Sequence, residues 1–511
     1  MVAPGTVPAT IEPPLILAID VGTSSLRVLV YDRLGRELDE LGARVSYQPV
    51  AGDDGRSELD PVQLRDHLFT ALDRVHALVV ARGLPLAAVA LDTFAYAGFA
   101  ADAQGRPLTP LFLWSDTRPW RAAIELRHQV DERAVHARTG CPIHASYLPA
   151  RLRWLRTSAP DVAREMRAWL TFGEYLEQVL FGAARVTFSI ASWSGLLDRW
   201  SLRWDQNWLE LLNVDERLLS PLVDRDEPLA GLAGELRSRW PLLAEIPWFP
   251  AIGDGAAANV GSGCIGPGRA ALTVGTSGAL RVVLDAAAPE VPWGLWEYRV
   301  DRARTLLGGA LSEGGNVYAW LQDTLRLGPP AEVEAAIAAL PPDGHGLTVL
   351  PFLAGERSPG WAGQARAALV GLALGTSSLE IVRAALEAVA YRVALLDRLL
   401  SQAIGPERLV VASGGALTSS PTWLQIMADV LGRSLVVSTE EATARGAALL
   451  AAHALGAVPS LVETAPAGGP VCEPDLARHA RYQQAIERQA WLYAALVRRD
   501  VDALKGNAGG G

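Results

Sequence analysis

The residues able to do chemistry gather at two short turns and one acidic loop. Residues Leu15 to Asp32 read LILAIDVGTSSLRVLVYD: an apolar strand, a Gly-Thr-Ser-Ser turn and a second apolar strand, the pattern of a β-hairpin. Residues Ala271 to Asp285 read ALTVGTSGALRVVLD, so VGTSSLRVLV returns as VGTSGALRVVL with one residue added. A glycine at such a tip lets successive amides turn inward, and with hydroxyls beside them they form a nest for anionic oxygens. A lone Gly-Thr-Ser is a good turn and nothing more. Near-identical tips in two halves of one chain point instead to a polyphosphate gripped from both sides. Asp20 enters the first tip and is a candidate Mg²⁺ ligand, because Mg²⁺ takes one or two carboxylates and keeps several waters.

The acidic loop is Gly253-Asp254-Gly255, a strand end passing into the small-residue run Ala256-Ala257-Ala258-Asn259. Asp254 has two readings: the N-cap of that helix, or a base that accepts a proton from a substrate hydroxyl attacking a phosphoryl group. The flanking glycines leave room for another molecule, and a helix N-terminus keeps a carboxylate ionised. Trp114-Ser115-Asp116-Thr117-Arg118 brings an aromatic face, a carboxylate and a guanidinium together, the mixture a sugar needs. An Asp cap with an Arg ion pair accounts for the same residues.

Elements that must position these groups follow from periodicity. After the first hairpin, Glu37 to Tyr47 reads as a third antiparallel strand, Asp60 to Arg82 as a capped helix, and Leu86 to Thr93 as a buried strand. Ala97 to Leu113 is a further hairpin, and Ala122 to Leu180 is mostly helical. Thr187 to Asp205 reads as Ser-rich loop. The second half holds strands at Trp296–Val300, Thr305–Ala310 and Leu409–Ala412, a long helix from Ser378 to Gln402, and a buried helix in the Ala-rich stretch from Ala442 to Leu455. The result is α/β throughout. The expected domains are an N-terminal one over 15–248, ended by the Pro-rich run Pro241 to Pro250, and a C-terminal one over 249–470 that ends in a Gly/Ala/Pro-rich linker. A closing helix over 471–505 follows, and 1–14 and 506–511 are expected to be disordered.

Composition narrows the classes. The chain has 511 residues, enough for two or three cores, and a net charge of -10, which argues against an electrostatic nucleic-acid binder. Three cysteines, Cys141, Cys264 and Cys472, lack CxxC spacing and suit reduced thiols in a cytoplasmic protein. No signal peptide or membrane span is read from the sequence. Sixteen Trp leave a homodimer face open as a reading, although core packing explains aromatics equally.

The motifs DVGTSSLR, GDGAAANVGSG, TVGTSGALR, LPFLAGERSPGW, ASGGALTSSPTWLQIMADVLG and TARGAALLA resemble, in order and over roughly Leu15 to Leu455, those of the FGGY carbohydrate kinases. The resemblance implies two actin-like (ribonuclease-H-like) ATPase domains with a deep interdomain cleft, using ATP and Mg²⁺ on a small sugar or sugar acid. It implies a first phosphate loop of Asp20, Gly22, Thr23, Ser24 and Arg27 and a second of Gly275, Thr276 and Ser277. Asp254 is implied as the base, Gly315, Gly414, Gly415 and Ser419 as nucleotide contacts, and Trp114, Asp116 and Arg118 as the segment near the sugar. Thr139 to His144 and Ser189 to Ser192 with Gly195 to Asp198 resemble gluconokinase-type members most. Where such kinases usually carry Met-His after the strand ending near Thr93, this chain has Tyr96-Ala97, with Tyr96 a candidate substrate contact. Gluconate is the first substrate expected, with xylulose, another ketose or a polyol next. A non-catalytic sugar or nucleotide sensor and a chaperone- or filament-like ATPase are the readings outside metabolism.

Overall fold

In the computed structural model, which describes residues 11–94, 97–438, 441–466 and 468–498, one strand order occurs twice. The first sheet is built on β1 (Leu15–Val21) and β2 (Ser25–Tyr31), the expected hairpin, with β3 (Ala43–Ser46) antiparallel to β2. On the other side of β1, β4 (Leu86–Thr93) and then β5 (Ile252–Gly253) add in parallel, giving the order β5-β4-β1-β2-β3. The second sheet repeats this with β6 (Arg269–Val274), β7 (Gly278–Leu284), β9 (Thr305–Leu311), β10 (Leu409–Ser413) and β11 (Leu435–Val437), in the order β9-β7-β6-β10-β11. β8 (Trp296–Arg299) lies beyond β9, and β12 (Val471–Cys472) lies beyond β11.

Helices cover both faces, which is why β1 is buried along its whole length. Its alternate residues Leu15, Leu17, Ile19 and Val21 join the core under α1 (Pro61–Arg82), while Ile16 and Ala18 meet alanines of α6 (Ala442–Ala454). Asp20 falls on the α6 side, at the end of the strand. The start of α1 is fixed by Asp60, whose Oδ1 accepts from the amides of Val62 and Gln63 at 2.8 and 3.2 Å, and its end by Gly83 in the left-handed region.

The two halves meet where α3 (Asp254–Gly261), which follows β5, crosses α6, which follows β11. At the crossing the backbones touch. A Cβ on Gly261 would lie 1.7 Å from the Ala442 carbonyl oxygen, and one on Gly446 would lie 1.8 Å from that of Ala257. Buried Arg445 locks the joint, donating to the carbonyls of Gly35 at 2.9 Å and Thr464 at 2.7 Å and to that of Gly261.

Several boundaries move. The break placed at Pro241 to Pro250 falls short of the first sheet, because β5 pairs with β4 through Ile252–Asp92 and Gly253–Thr93. Residues 11–14, expected to be disordered, are tied down: Glu12 accepts from the Arg33 amide at 3.0 Å, and its amide donates to Asp32. The third strand is shorter than Glu37 to Tyr47, with Glu40 in a left-handed turn before it. The loop expected over Thr187 to Asp205 holds a short helix, α2 (Phe188–Ser192), and a small hairpin at Leu197–Asp198 and Arg203–Trp204. The linker expected before 471 leads straight into β12, and the Val437 amide donates to the Pro470 carbonyl at 2.9 Å. The calls on 1–10 and 499–511 lie outside the described residues.

Because the α3–α6 contact leaves no room for a methyl group, Gly446→Ala should destabilise the protein by about 3 kcal/mol in urea denaturation. Gly268→Ala, at an exposed site with nothing near its Cβ, should change stability by less than about 0.5 kcal/mol.

Candidate active site

Both tips have the same hydrogen-bond logic. In the first, the Gly22 amide donates to the Ser25 carbonyl at 2.9 Å, Thr23 is half-buried and Ser24 is exposed. In the second, the Gly275 amide donates to the Ser277 carbonyl at 3.0 Å, while the Gly275 and Thr276 carbonyls accept from the amides of Gly315 and Asn316 at 2.7 and 3.2 Å. Those two donors open α4 (Gly315–Thr324), so its N-terminal end points at the tip. Neither glycine is left-handed. Their value is space: a Cβ on Gly275 would meet nothing within 4 Å.

The remaining glycines converge on the second tip. Gly414, at φ +92°, presses on the Val274 backbone, and a Cβ on Gly315 would lie 2.7 Å from that of Ala416 and 2.8 Å from the Gly275 carbonyl oxygen. Gly414, Gly415, Thr418 and Ser438 of the second half line a cavity of about 910 Å³ together with Arg27 and Glu441. That volume suits a small-molecule site. Ser419 is not part of this lining; it is exposed, and its hydroxyl bonds back to the Ala416 carbonyl at 3.4 Å.

Charges are paired across the joint. Arg27 of β2 bonds Asp20 at 2.5 Å and reaches Glu441, the N-cap of α6, at 3.2 Å. In the second half Thr273 stands where Asp20 stands in the first, and Arg281, the counterpart of Arg27, has its charge facing Asp254. Asp254 is the first residue of α3 and its Oδ1 accepts from the Gly255 amide at 2.7 Å, so it does not cap the helix in the N-cap position. Its charge also acts on Asp20 and Asp92. One carboxylate thus lies between an acidic pair on the first sheet and an arginine on the second.

The glycines around Asp254 admit the protein itself. A Cβ on Gly253 would lie 2.8 Å from Trp193 Nε1, and one on Gly255 would lie 2.5 Å from an Arg281 nitrogen. Trp193 stacks on Tyr298 at 4.2 Å, Tyr298 stacks on Trp296 at 4.1 Å, and the Tyr298 and Tyr147 hydroxyls are 2.5 Å apart. Ser189 Oγ accepts from the Gly253 amide at 3.1 Å and fixes the strand end that carries Asp254.

Asp92 was not singled out from the sequence. It is fully buried beside Asp20 in the β1–β4 register, and neither of its oxygens has a hydrogen-bond donor among the described residues. Burial pushes its carboxyl well above the usual range, with the Asp20 charge adding to the push, and burial raises Asp20 as well, against the pull of Arg27. Asp92 with its unmet acceptor capacity, beside Asp20 at the first Gly-Thr-Ser tip, makes a donor set that fits Mg²⁺.

Residues 15–261 match the FGGY family of carbohydrate kinases, N-terminal domain, and residues 270–455 match the C-terminal domain of the same family. The chain belongs to the FGGY carbohydrate kinases. The gluconokinase of Bacillus subtilis (strain 168) is 27% identical over 460 residues, covering 87% of this chain and 88% of its own. A glycerol kinase of Aromatoleum aromaticum is 32% identical over 510 residues, covering 94% and 99%. The crystal structure of gluconate kinase from Lactobacillus acidophilus, 24% identical, superposes with a TM-score of 0.86 over 94% of this chain and 98% of that one. The fold is therefore the two-domain, actin-like one of FGGY kinases.

In this FGGY kinase the Trp-x-Asp-x-Arg segment divides. Trp114 reaches the first tip, its indole N–H 3.4 Å from Thr23 Oγ1, and Arg357 lies over its ring at 4.9 Å. Asp116 and Arg118 do not accompany it. Arg118 Nε donates to both Asp116 oxygens at 3.0 and 3.1 Å, its guanidinium also pairs with Glu58 and lies over Trp154, and Asp116 accepts from the Ser57 amide. Both groups are satisfied inside the first domain, so the ion-pair reading describes them; the cap reading does not, since the following helix starts after Pro119 without a side-chain cap. Tyr96 lies outside the described residues. Among the residues missed, Arg281 had a legible signal in the repeated tip, whereas Asp92, Trp193 and Tyr298 had none.

Glu313, just before α4, is buried with both oxygens lacking a donor among the described residues, and burial pushes it up to about 8 despite Arg392 nearby. The folded state therefore holds a proton that the unfolded chain releases near 4.5. Stability from this group is full below that pH and is lost as pH rises toward about 8. Glu313→Gln should match the parent below pH ~4.5 and exceed it above pH ~8 by on the order of 3 kcal/mol, measured by urea denaturation across pH.

Proposed function

We propose that this FGGY kinase transfers the γ-phosphoryl group of ATP to a hydroxyl of a sugar or sugar acid, with gluconate to 6-phosphogluconate as the first candidate, and that Asp254 is the base. The observation that carries this reading is the placement of Asp254 between the acids of the first tip and Arg281 behind the second. The attacking substrate oxygen forms a bond to the γ-phosphorus as the bond from that phosphorus to the bridging oxygen of ADP breaks, and the hydroxyl proton passes to an Asp254 oxygen. Thr23, Ser24, Thr276 and Ser277 offer donors to the phosphates from the two tips, and the cavity beside Gly414 and Gly415 takes the nucleoside. Asp20 and Asp92 would hold Mg²⁺, which when bound offsets the phosphate charge. Closure about the α3–α6 crossing excludes water from the γ-phosphate.

Gluconate is favoured by the similarity to gluconokinases and by the motifs at Thr139 to His144 and Ser189 to Asp198. A ketose such as xylulose, or a polyol, is the second reading, supported by the 32% identity to a glycerol kinase and by the flat face of Trp114.

Coupled ADP detection over a panel of aldonates, ketoses and polyols should give its highest kcat/KM with gluconate; no turnover on any of them would sink the kinase assignment. Asp254→Asn should lower kcat by about 10³-fold while calorimetric ATP affinity stays within about threefold. Substantial turnover by that variant would refute the base.

A further inference from the structure

A second cavity, of about 740 Å³, is walled by both halves and shares no residue with the one beside Gly414 and Gly415. The first half supplies Arg127 and Glu132, and the second supplies Trp293 and one face of the helix Ser378–Ile404, with Arg392, Leu395, Arg398 and Leu399. The volume suits a small molecule. Its wall is part rings and leucines, part guanidinium groups, and it carries more cation than acid in a chain whose net charge is -10.

Two of the arginines are answered. Arg127 pairs with Glu132 at 3.1 Å, and buried Arg392 pairs with Glu356, which does not line the cavity. Arg398 bonds the amide oxygen of Gln483, and Arg133 lies over the Trp293 ring at 4.4 Å. Neither has a carboxylate within ion-pair distance among the described residues. Arg392 is 3% exposed, and its Nε is buried with no acceptor among the described residues. Two uncovered charges and a buried N–H match a phosphate dianion, whose three oxygens serve a guanidinium fork; a single carboxylate leaves one charge over.

Contacts lead from this cavity to the first tip. Arg392 and the Tyr493 hydroxyl, at 2.6 Å, hold Glu356, and the next residue, Arg357, lies over Trp114 at 4.9 Å. The Trp114 indole N–H is in turn 3.4 Å from Thr23 Oγ1. Arg127 meanwhile donates from the first half to the Trp361 carbonyl of the second at 3.3 Å. We propose that this cavity is an effector site for a phosphate monoester of a small sugar. Arg392 and Arg398 take the phosphate, Trp293, Leu395 and Leu399 take the carbon part, and occupation changes the affinity of the first tip for ATP. The effect on ATP rests on the kinase reading, whereas the binding itself does not.

In calorimetric titrations of the full chain, glucose 6-phosphate should bind about tenfold tighter than glucose, or more. Arg398→Gln should weaken it about tenfold, and Arg398→Gln combined with Arg133→Gln about 100-fold, with thermal stability unchanged at these exposed positions. Saturating glucose 6-phosphate should shift the wild-type affinity for ATP by about threefold or more. That shift should vanish in the double variant, whose ATP affinity alone stays within about twofold of the parent. Unaltered glucose 6-phosphate binding by the double variant would put the ligand elsewhere, such as the catalytic cleft, and overturn the proposal. So would equal affinity for glucose and glucose 6-phosphate. Arginine-dependent binding that leaves ATP affinity unmoved would overturn the effector role. A wild type that binds glucose 6-phosphate through these arginines but never binds ATP would refute the kinase reading and leave the site standing.

Discussion

The contact between α3 and α6 is the constraint on which the rest depends. Two helices approach until backbone meets backbone, which only Gly261 and Gly446 allow, and each helix is the direct continuation of an edge of one sheet's parallel side. Fixing that crossing fixes the two sheets relative to each other, and with them the two Gly-Thr-Ser tips. It also brings the first residue of each helix to the centre. Asp254 opens α3 and Glu441 caps α6, so each half supplies a carboxylate that meets an arginine of the opposite hairpin: Glu441 with Arg27, and Asp254 with Arg281. Small residues along both helices, which in sequence suggested room for a ligand, serve this joint.

Around that centre the halves differ in charge, and the difference separates their tasks. On the first sheet Asp20 and Asp92 stand side by side with Glu441 near, answered among the described residues by Arg27. Such a surplus of buried acid calls for a cation. In the second half Thr273 replaces the acid and accepts from Arg281 at 3.3 Å. A duplicated fold thus carries an acid-rich half and a half in which threonine and arginine take those places. Few substitutions separate the two.

Aromatic packing reaches the loop that carries Asp254. Trp193, Tyr298 and Trp296 form a continuous stack, and its first ring rests on the glycines that flank Asp254. Gly140, in the gluconokinase-like motif, comes so close to β8 that the Glu297 amide donates to its carbonyl at 3.0 Å. Gly140 thereby ties its motif to the strand that carries Trp296 and Tyr298.

Hairpins, capped helices and the duplicated tip could be read directly from the chain, because alternation of apolar residues, a two-to-four-residue turn and an Asp or Ser cap act within about ten residues of each other. The same local reading marked Asp20 and Asp254 as the acids of interest. It failed where charge partners come from far along the chain. Arg27 and Glu441 are 414 residues apart, and nothing local to Asp116 or Arg118 tells a closed ion pair from an open sugar contact. It also missed Asp92, which is one more residue at the end of a buried strand until β4 pairs with β1 and puts it against Asp20. The sequence by itself determined the elements and the two Gly-Thr-Ser hairpin tips, since those are set by short-range geometry. Which acid answers which arginine was decided only by the helix crossing that brings the two sheets together.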